Sequence, residues 1–284
     1  MAGTLTSAQK AFYDDNGYVL VKGVLSKDEA ATYRQHLHEL AERLQKVRNI
    51  DATWGAIRQT QSEAQKTVIL HCHDVQFYDA VFTRLICDPR LTGIAQSIIG
   101  PNVQLHHTKM FIKPPEKGSP FPMHQDAPYF PHDKHSMIAA IIHFDDAPLE
   151  KGCVRVMPGS HKLGVLEHER NSSINLPMDK YPIDKATPCP AEAGDVLFFS
   201  YLTIHGSGVN TSSEARTTML VQMRDPTDPP TIRAHESRGQ GTMLAGIDPS
   251  CCTIKPSSEN KPATGAAAAA PTMGTPVMGA KSGM

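Results

Sequence analysis

Between Ser26 and Arg48 apolar side chains recur at Tyr33, Leu37, Leu40, Leu44 and Val47, with charged and amide side chains between them. Alternating steps of four and three residues match the helical repeat and predict an amphipathic helix lying on a core. Ser26 followed by Glu29 supplies a capping box at its start. A shorter helix is predicted after Asp88 and Pro89, with Leu91, Ile94 and Ile98 on one side and Gly100 as its stop. Ahead of the long helix, "GYVLVKGVL" is rich in β-branched residues and reads as extended.

From about residue 102 the period changes. "VQLHHTKMFI", "SMIAAIIHFDD", "CVRVMPGS", "DVLFFSYLTIHG" and "TTMLVQMRD" are short extended runs broken by Pro, Gly and Asp, a pattern that predicts an all-β sandwich or barrel. Residues 161–193, polar and proline-containing, form a long excursion from it, the kind of loop that often carries specificity. After residue 234 large apolar side chains become scarce while Gly, Ala, Pro and Ser accumulate. Such a segment cannot bury enough surface to offset its ordering entropy. The expected organisation is therefore one domain over 1–234 and a low-complexity, disordered tail over 235–284, with no internal repeat.

Charge narrows the choice of partner. With 28 Lys and Arg against 29 Asp and Glu, the chain has no general attraction for nucleic acid or an anionic membrane, and a small-molecule substrate is expected. No uninterrupted apolar run is long enough to span a bilayer, and the opening "MAGTLTSAQK" lacks the apolar core of a secretory signal. The six cysteines, at 72, 87, 153, 189, 251 and 252, include no Cys-x-x-Cys pair, which suits reduced thiols in a cytoplasmic setting. Sequons at Asn171 and Asn210 then carry no weight.

The chemistry starts at "FPMHQDAPYF", where His124 and Asp126 flank Gln125. A lone His-x-Asp is weak evidence, because a hydrogen-bonded turn histidine beside a capping aspartate looks the same. It gains meaning from His205, at the end of the apolar strand "DVLFFSYLTIH" and just before the turn residues Gly206, Ser207 and Gly208. Two imidazoles and one carboxylate make the facial triad that holds non-haem Fe(II) with coordination positions left open. The same three donors would also serve a catalytic zinc ion. Eleven residues beyond His205 lies Arg216, opening the next apolar run. If the chain returns antiparallel, this guanidinium faces the same cavity and can hold a carboxylate by paired charged hydrogen bonds. A dicarboxylate that chelates a metal with one end and meets arginine with the other fits both features, and 2-oxoglutarate has that shape.

The runs "HTKMFIKPPEKGSPFPMHQDAPYFP", "GCVRVMPGSHKLG" and "GDVLFFSYLTIHGSGVN", with Arg216 and the opening "FYDDNGYVLVKGVLSKDEA", resemble the phytanoyl-CoA dioxygenase family of Fe(II)/2-oxoglutarate oxygenases over about residues 6–225. The resemblance implies a mainly β fold with flanking helices: a double-stranded β-helix, or cupin-like jelly roll, with N-terminal helices packed on one sheet. It implies that His124, Asp126 and His205 bind Fe(II), and that Ser207 and Arg216 grip the distal carboxylate of 2-oxoglutarate. A family lysine corresponds to Lys66 in "QKTVIL", with "HCHD" at 71–74 as a competing match. The family's methionine before "KPP" falls on Lys109, and Ile142 stands where several relatives have tryptophan, a position that bears on the shape of the cosubstrate pocket.

The implied activity is a dioxygenase reaction: O2 and 2-oxoglutarate yield succinate and CO2 while an unactivated C–H bond of a small molecule is hydroxylated. Asp126 disfavours halogenation, since a halide on iron would need its place. The rival classes are a metal- or 2-oxoglutarate-binding member without activity, and a zinc-dependent hydrolase or isomerase, for which Arg216 would have no use. His71 and His73 would share a strand face as pocket-lining groups or, with Cys72 or Asp74, as a second metal site. His132 and His135 lie nearest the metal motif and are candidates for substrate contact. Trp54 is expected in packing. The ending "KSGM" is not a peroxisomal Ser-Lys-Leu address, so the expectation stays cytoplasmic.

Overall fold

The computed structural model describes residues 3–46, 70–115, 120–170, 174–232 and 234–252. The chain runs α1 (Ser7–Asn16), β1 (Tyr18–Val21), α2 (Lys27–Lys46), β2 (Leu70–His73), α3 (Ala80–Ile86), α4 (Pro89–Ile99), β3 (Val103–Lys113), β4 (Phe121–His124) and β5 (Ile138–His143). It continues through β6 (Val154–Val156), β7 (Glu169–Arg170), β8 (Ile174–Asn175), β9 (Thr187–Cys189), β10 (Val196–Ser200), β11 (His205–Ser207), β12 (Arg216–Arg224) and β13 (Met243–Ala245).

Capping boxes start the first two helices. The Ser26 amide donates to Glu29 Oε2 at 2.8 Å and the Glu29 amide to Ser26 Oγ at 3.1 Å, as the sequence predicts. Glu29 also accepts from Arg90 at 2.8 Å, tying the start of α2 to α4. Thr6 and Gln9 exchange the same pair of bonds ahead of α1, a helix that apolar period did not reveal because it buries only Tyr13. Leu37, Leu40 and Leu44 of α2 are buried in a core shared with Met110, Ile142, Phe198 and Met219 of the sheet, so the helices form a layer on its outer face.

The larger sheet has the order β1-β10-β5-β12-β3-β13, with β2 also pairing β3; the smaller is β4-β11-β6-β9. Their facing sides meet through Ile141, Leu197 and Phe199 on one sheet and Val154, Val156 and Cys189 on the other. This is the jelly roll with helices on one sheet that the sequence led one to expect.

Two expectations change. Ile142 does not shape the pocket: it packs outward under the helices, and Ile141 faces the cavity instead. Because "MIAAII" is apolar on both faces, its phase is unreadable from sequence. Ordered structure also continues past 234, since β13 pairs with Val103 and Gln104 of β3 and the compact unit runs to Ser250. Leu244 is buried in the core there, a single apolar anchor that composition averaging conceals. Lys66, Trp54 and the remainder of the expected tail lie outside the described residues.

Candidate active site

His124 and His205 are cross-strand partners on β4 and β11. Asp126 follows two residues on, its amide donating to the Tyr201 carbonyl at 3.0 Å. Each imidazole is oriented by its other nitrogen: His124 Nδ1 bonds the Pro122 carbonyl at 2.8 Å and His205 Nδ1 the Thr203 carbonyl at 3.0 Å. Both Nε2 atoms then face Asp126 Oδ1, each at 3.7 Å. The second carboxylate oxygen, Oδ2, accepts from Gln222 Nε2 at 2.6 Å. Gly206 permits the close strand approach, because a Cβ there would stand 2.7 Å from the Phe121 carbonyl and 2.8 Å from Met123 Sδ.

Gln125 points the other way and is buried. Its side chain donates to the Gly164 and Leu202 carbonyls and accepts from the Leu166 amide, while its own amide donates to His168 Nε2. The amide between His124 and Asp126 thus fastens the long 161–193 excursion to the strand end that leads to His205.

Burial pushes the Asp126 carboxyl above its ordinary range and holds His124 well below the usual imidazole value. A cation between them would reverse the first effect and use the second, since it needs an ionised carboxylate and unprotonated imidazoles.

The triad opens on a cavity of about 100 Å³ with apolar walls from Phe111, Ile141, Val154, Phe199 and Leu220. Ser207, Arg216 and Thr218 also line it. Arg216 is buried, and desolvation lowers its pKa to about 10. Its Nη1 donates to the Gly152 carbonyl, while its Nε is buried without a hydrogen-bond partner. Gly152 is required there: its φ is +67° and an added Cβ would meet the Gly208 carbonyl at 2.4 Å.

Opposite Arg216 in the β12–β3 register lies Lys113, fully buried, its Nζ bonded to Ser207 Oγ at 2.8 Å and the Gly208 carbonyl at 2.7 Å. Desolvation and the neighbouring guanidinium hold its pKa far below the ordinary lysine range. Among the described residues neither cation makes an ion pair. Two buried basic side chains, the guanidinium with an orphaned nitrogen, form a cradle for an anion whose charge would favour the protonated lysine, and the triad supplies donors for a metal.

His124, Asp126, His205, Ser207 and Arg216 therefore converge on one cavity. Lys109 lies on the same strand face, two positions from Phe111, with its ammonium 4.8 Å from the Phe111 ring; its charge acts on Asp126 and His124. It is not among the cavity-wall residues, and neither are His132 and His135. His132 bonds the Phe130 carbonyl at 2.8 Å, and His135 the Tyr201 hydroxyl at 2.5 Å. His71 and His73 pair with Phe111 and Lys109 and so share their face. Lys113 and Gln222 are the residues that sequence reasoning missed. Their signal was alternation, which puts Lys109, Phe111 and Lys113 on one face of β3 and Arg216, Thr218, Leu220 and Gln222 on one face of β12.

The phytanoyl-CoA dioxygenase (PhyH) family model matches residues 13–218. The peroxisomal phytanoyl-CoA dioxygenase of Rattus norvegicus is 28% identical over 221 residues, covering 72% of this chain and 64% of that protein's length. Among solved structures, the non-haem α-ketoglutarate-dependent carbocyclase SnoK superposes with a TM-score of 0.68 at 23% identity, over 86% of this chain and 98% of its own. The epimerase SnoN, in complex with Fe3+, α-ketoglutarate and nogalamycin RO, gives 0.62 at 25% identity, over 85% and 96%.

Proposed function

The chain belongs to the phytanoyl-CoA dioxygenase family, and from that premise we propose that it is an Fe(II)- and 2-oxoglutarate-dependent dioxygenase that oxidises an unactivated C–H bond of a small molecule. The observation that carries this reading is one cavity lined by a His-Asp-His donor set and by a buried arginine, with a buried lysine behind Ser207, neither basic group making an ion pair among the described residues.

His124 Nε2, Asp126 Oδ1 and His205 Nε2 would hold the iron, with Gln222 fixing the carboxylate so that Oδ1 is presented to the metal. When bound, Fe(II) with O2 and 2-oxoglutarate supplies the oxidising power, and succinate and CO2 are released. Arg216 and Ser207 would hold the distal carboxylate of 2-oxoglutarate, with Lys113 donating to the Ser207 hydroxyl behind it. The apolar walls keep water from the reacting centre, so the protein's contribution is orientation and exclusion. Hydroxylation is the outcome we favour. Lys109, and Lys66 in the undescribed stretch, are further candidates for the cosubstrate.

We place the protein in a reducing, cytoplasm-like compartment, which the free thiols of Cys72, Cys87, Cys153 and Cys189 support. No helix among the described residues is long and apolar enough to cross a membrane. The substrate is a small molecule and need not be a CoA ester.

The test is anaerobic Fe(II) and 2-oxoglutarate binding, followed by a substrate panel read as stimulated succinate release. His124→Ala and Asp126→Ala are expected to abolish iron uptake and turnover. Arg216→Ala should keep iron but weaken 2-oxoglutarate binding by about tenfold to a hundredfold, the loss of a charged hydrogen-bonded pair. Turnover that survives loss of either triad residue would refute the assignment.

A further inference from the structure

A second group of histidines gathers beside the candidate active site, and strand-edge geometry brings it together. On the edge of β3, β2 covers Lys109–Ile112 and β13 covers Val103 and Gln104. Between these two patches lie His106 and His107, at a register shift against β12 where the ladder passes from Gln222–His107 to Met223–Leu105. Such a bulge places an extra residue against one partner and re-aims its neighbours. His73 closes β2 on this edge, and His235 arrives on the segment that leads to β13. The rings of His107 and His235 are 4.3 Å apart, those of His73 and His235 5.2 Å, and those of His73 and His107 6.0 Å.

We infer that His73, His107 and His235 form a second metal-binding site, suited to a divalent ion of zinc type. One ring nitrogen from each lies within 4.8 Å of the other two. A tetrahedral zinc shell with bonds of about 2.0–2.1 Å places its nitrogens about 3.3 Å apart, so ring rotations of modest size complete the site. His107 is already oriented for it. Its Nδ1 lies 2.7 Å from His106 Nδ1, which leaves Nε2 as its ligand atom and makes His106 the outer partner that sets the tautomer. The backbone is specialised at the other two corners: His235 has φ +53° and Asp74, directly after His73, has φ +57°. Left-handed non-glycine residues are uncommon, and they cluster where a constellation must be held in place. Asp74 Oδ2 accepts from the Arg238 amide at 3.2 Å, clamping the segment that carries His235 to the end of β2.

Three neutral imidazoles leave a dication its full charge and one open position. The ammonium of Lys109 acts on His107 and His235, so the fourth ligand is an anion, hydroxide or a carboxylate, that offsets both charges. The site shares no ligand with the His124–Asp126–His205 triad. It adjoins it through Gln222, which pairs with His107 in register and bonds Asp126. The inference therefore does not depend on the proposed iron chemistry.

The test is zinc stoichiometry of the full chain, with Zn2+ alone as probe, by equilibrium dialysis and elemental analysis. The wild-type protein is expected to hold about two equivalents, one at each three-donor set. His235→Ala and His73→Ala should each retain about one, and His124→Ala should lose the other. Zinc should also raise the melting temperature of wild type more than that of His235→Ala. An unchanged stoichiometry in both His235→Ala and His73→Ala would overturn the inference. Should His235→Ala fail to fold, His73→Ala decides, with zinc retained at the triad as proof of its fold. Loss of zinc on His73→Ala with none lost on His124→Ala would uphold this site while removing the proposed catalytic one.

Discussion

Gln222 holds the oxygen of Asp126 that the two imidazoles do not face. Removing that donor leaves the Asp126 carboxylate free to turn and one buried acceptor unsatisfied. Gln222→Leu should therefore weaken Fe(II) binding by about 10–100-fold in an anaerobic titration, although it touches no metal itself. Lys113→Met should weaken 2-oxoglutarate binding by about tenfold while iron affinity holds, because it removes the donor that orients Ser207 and would take up a proton beside a bound anion, and it leaves the triad intact. At this scale the sequence was legible wherever chemistry and spacing coincided. The triad and Arg216 declared themselves by residue type and strand position. Lys113 did not, because alternation puts it on the face of Lys109 and Phe111 but only the strand register sets it against Arg216. Ile142 misled for the complementary reason: next to Ile141 in a doubly buried run, either phase satisfies the hydrophobic pattern.

Glu29 joins two elements, capping α2 and accepting from Arg90 on α4. The Arg90 hydrogen bonds, then the Ser26 amide, lower its pKa from 4.5 to about 2. A depressed carboxyl contributes stability that is fully present above its unfolded value and is lost as pH falls towards the folded one. The loss should fall between about pH 4.5 and 2, and Glu29→Gln should flatten that limb of an acid-unfolding curve followed by circular dichroism. Because both partners are about one-third exposed, the effect is screened and modest. Helix α2 was readable since its apolar stripe and its cap agree. The first helix and the last strand were not: one buries only Tyr13, the other anchors itself with Leu244, and neither carries a period.

At the largest scale, the described residues up to Ser250 are two main sheets closed over a cavity, with the helices outside the larger one and the long 161–193 excursion fastened by Gln125. Its C-terminal limit is testable. A chain ending at residue 234 loses β13, and the exposure of Leu244 alone should cost about 2 kcal/mol, or roughly 4–8 °C of melting temperature for a domain of this size. A chain ending after residue 252 keeps that ladder and should melt with the full-length protein in a thermal scan. The way β2 and β13 share the edge of β3 has a further result. An open border of eleven residues, largely buried and rich in apolar side chains, would otherwise invite a neighbouring molecule to add its own strand. Four residues from one segment and three from another occupy most of that border, so a chain that loses β13 would present Val103 and Gln104 as an unpaired edge open to a foreign strand.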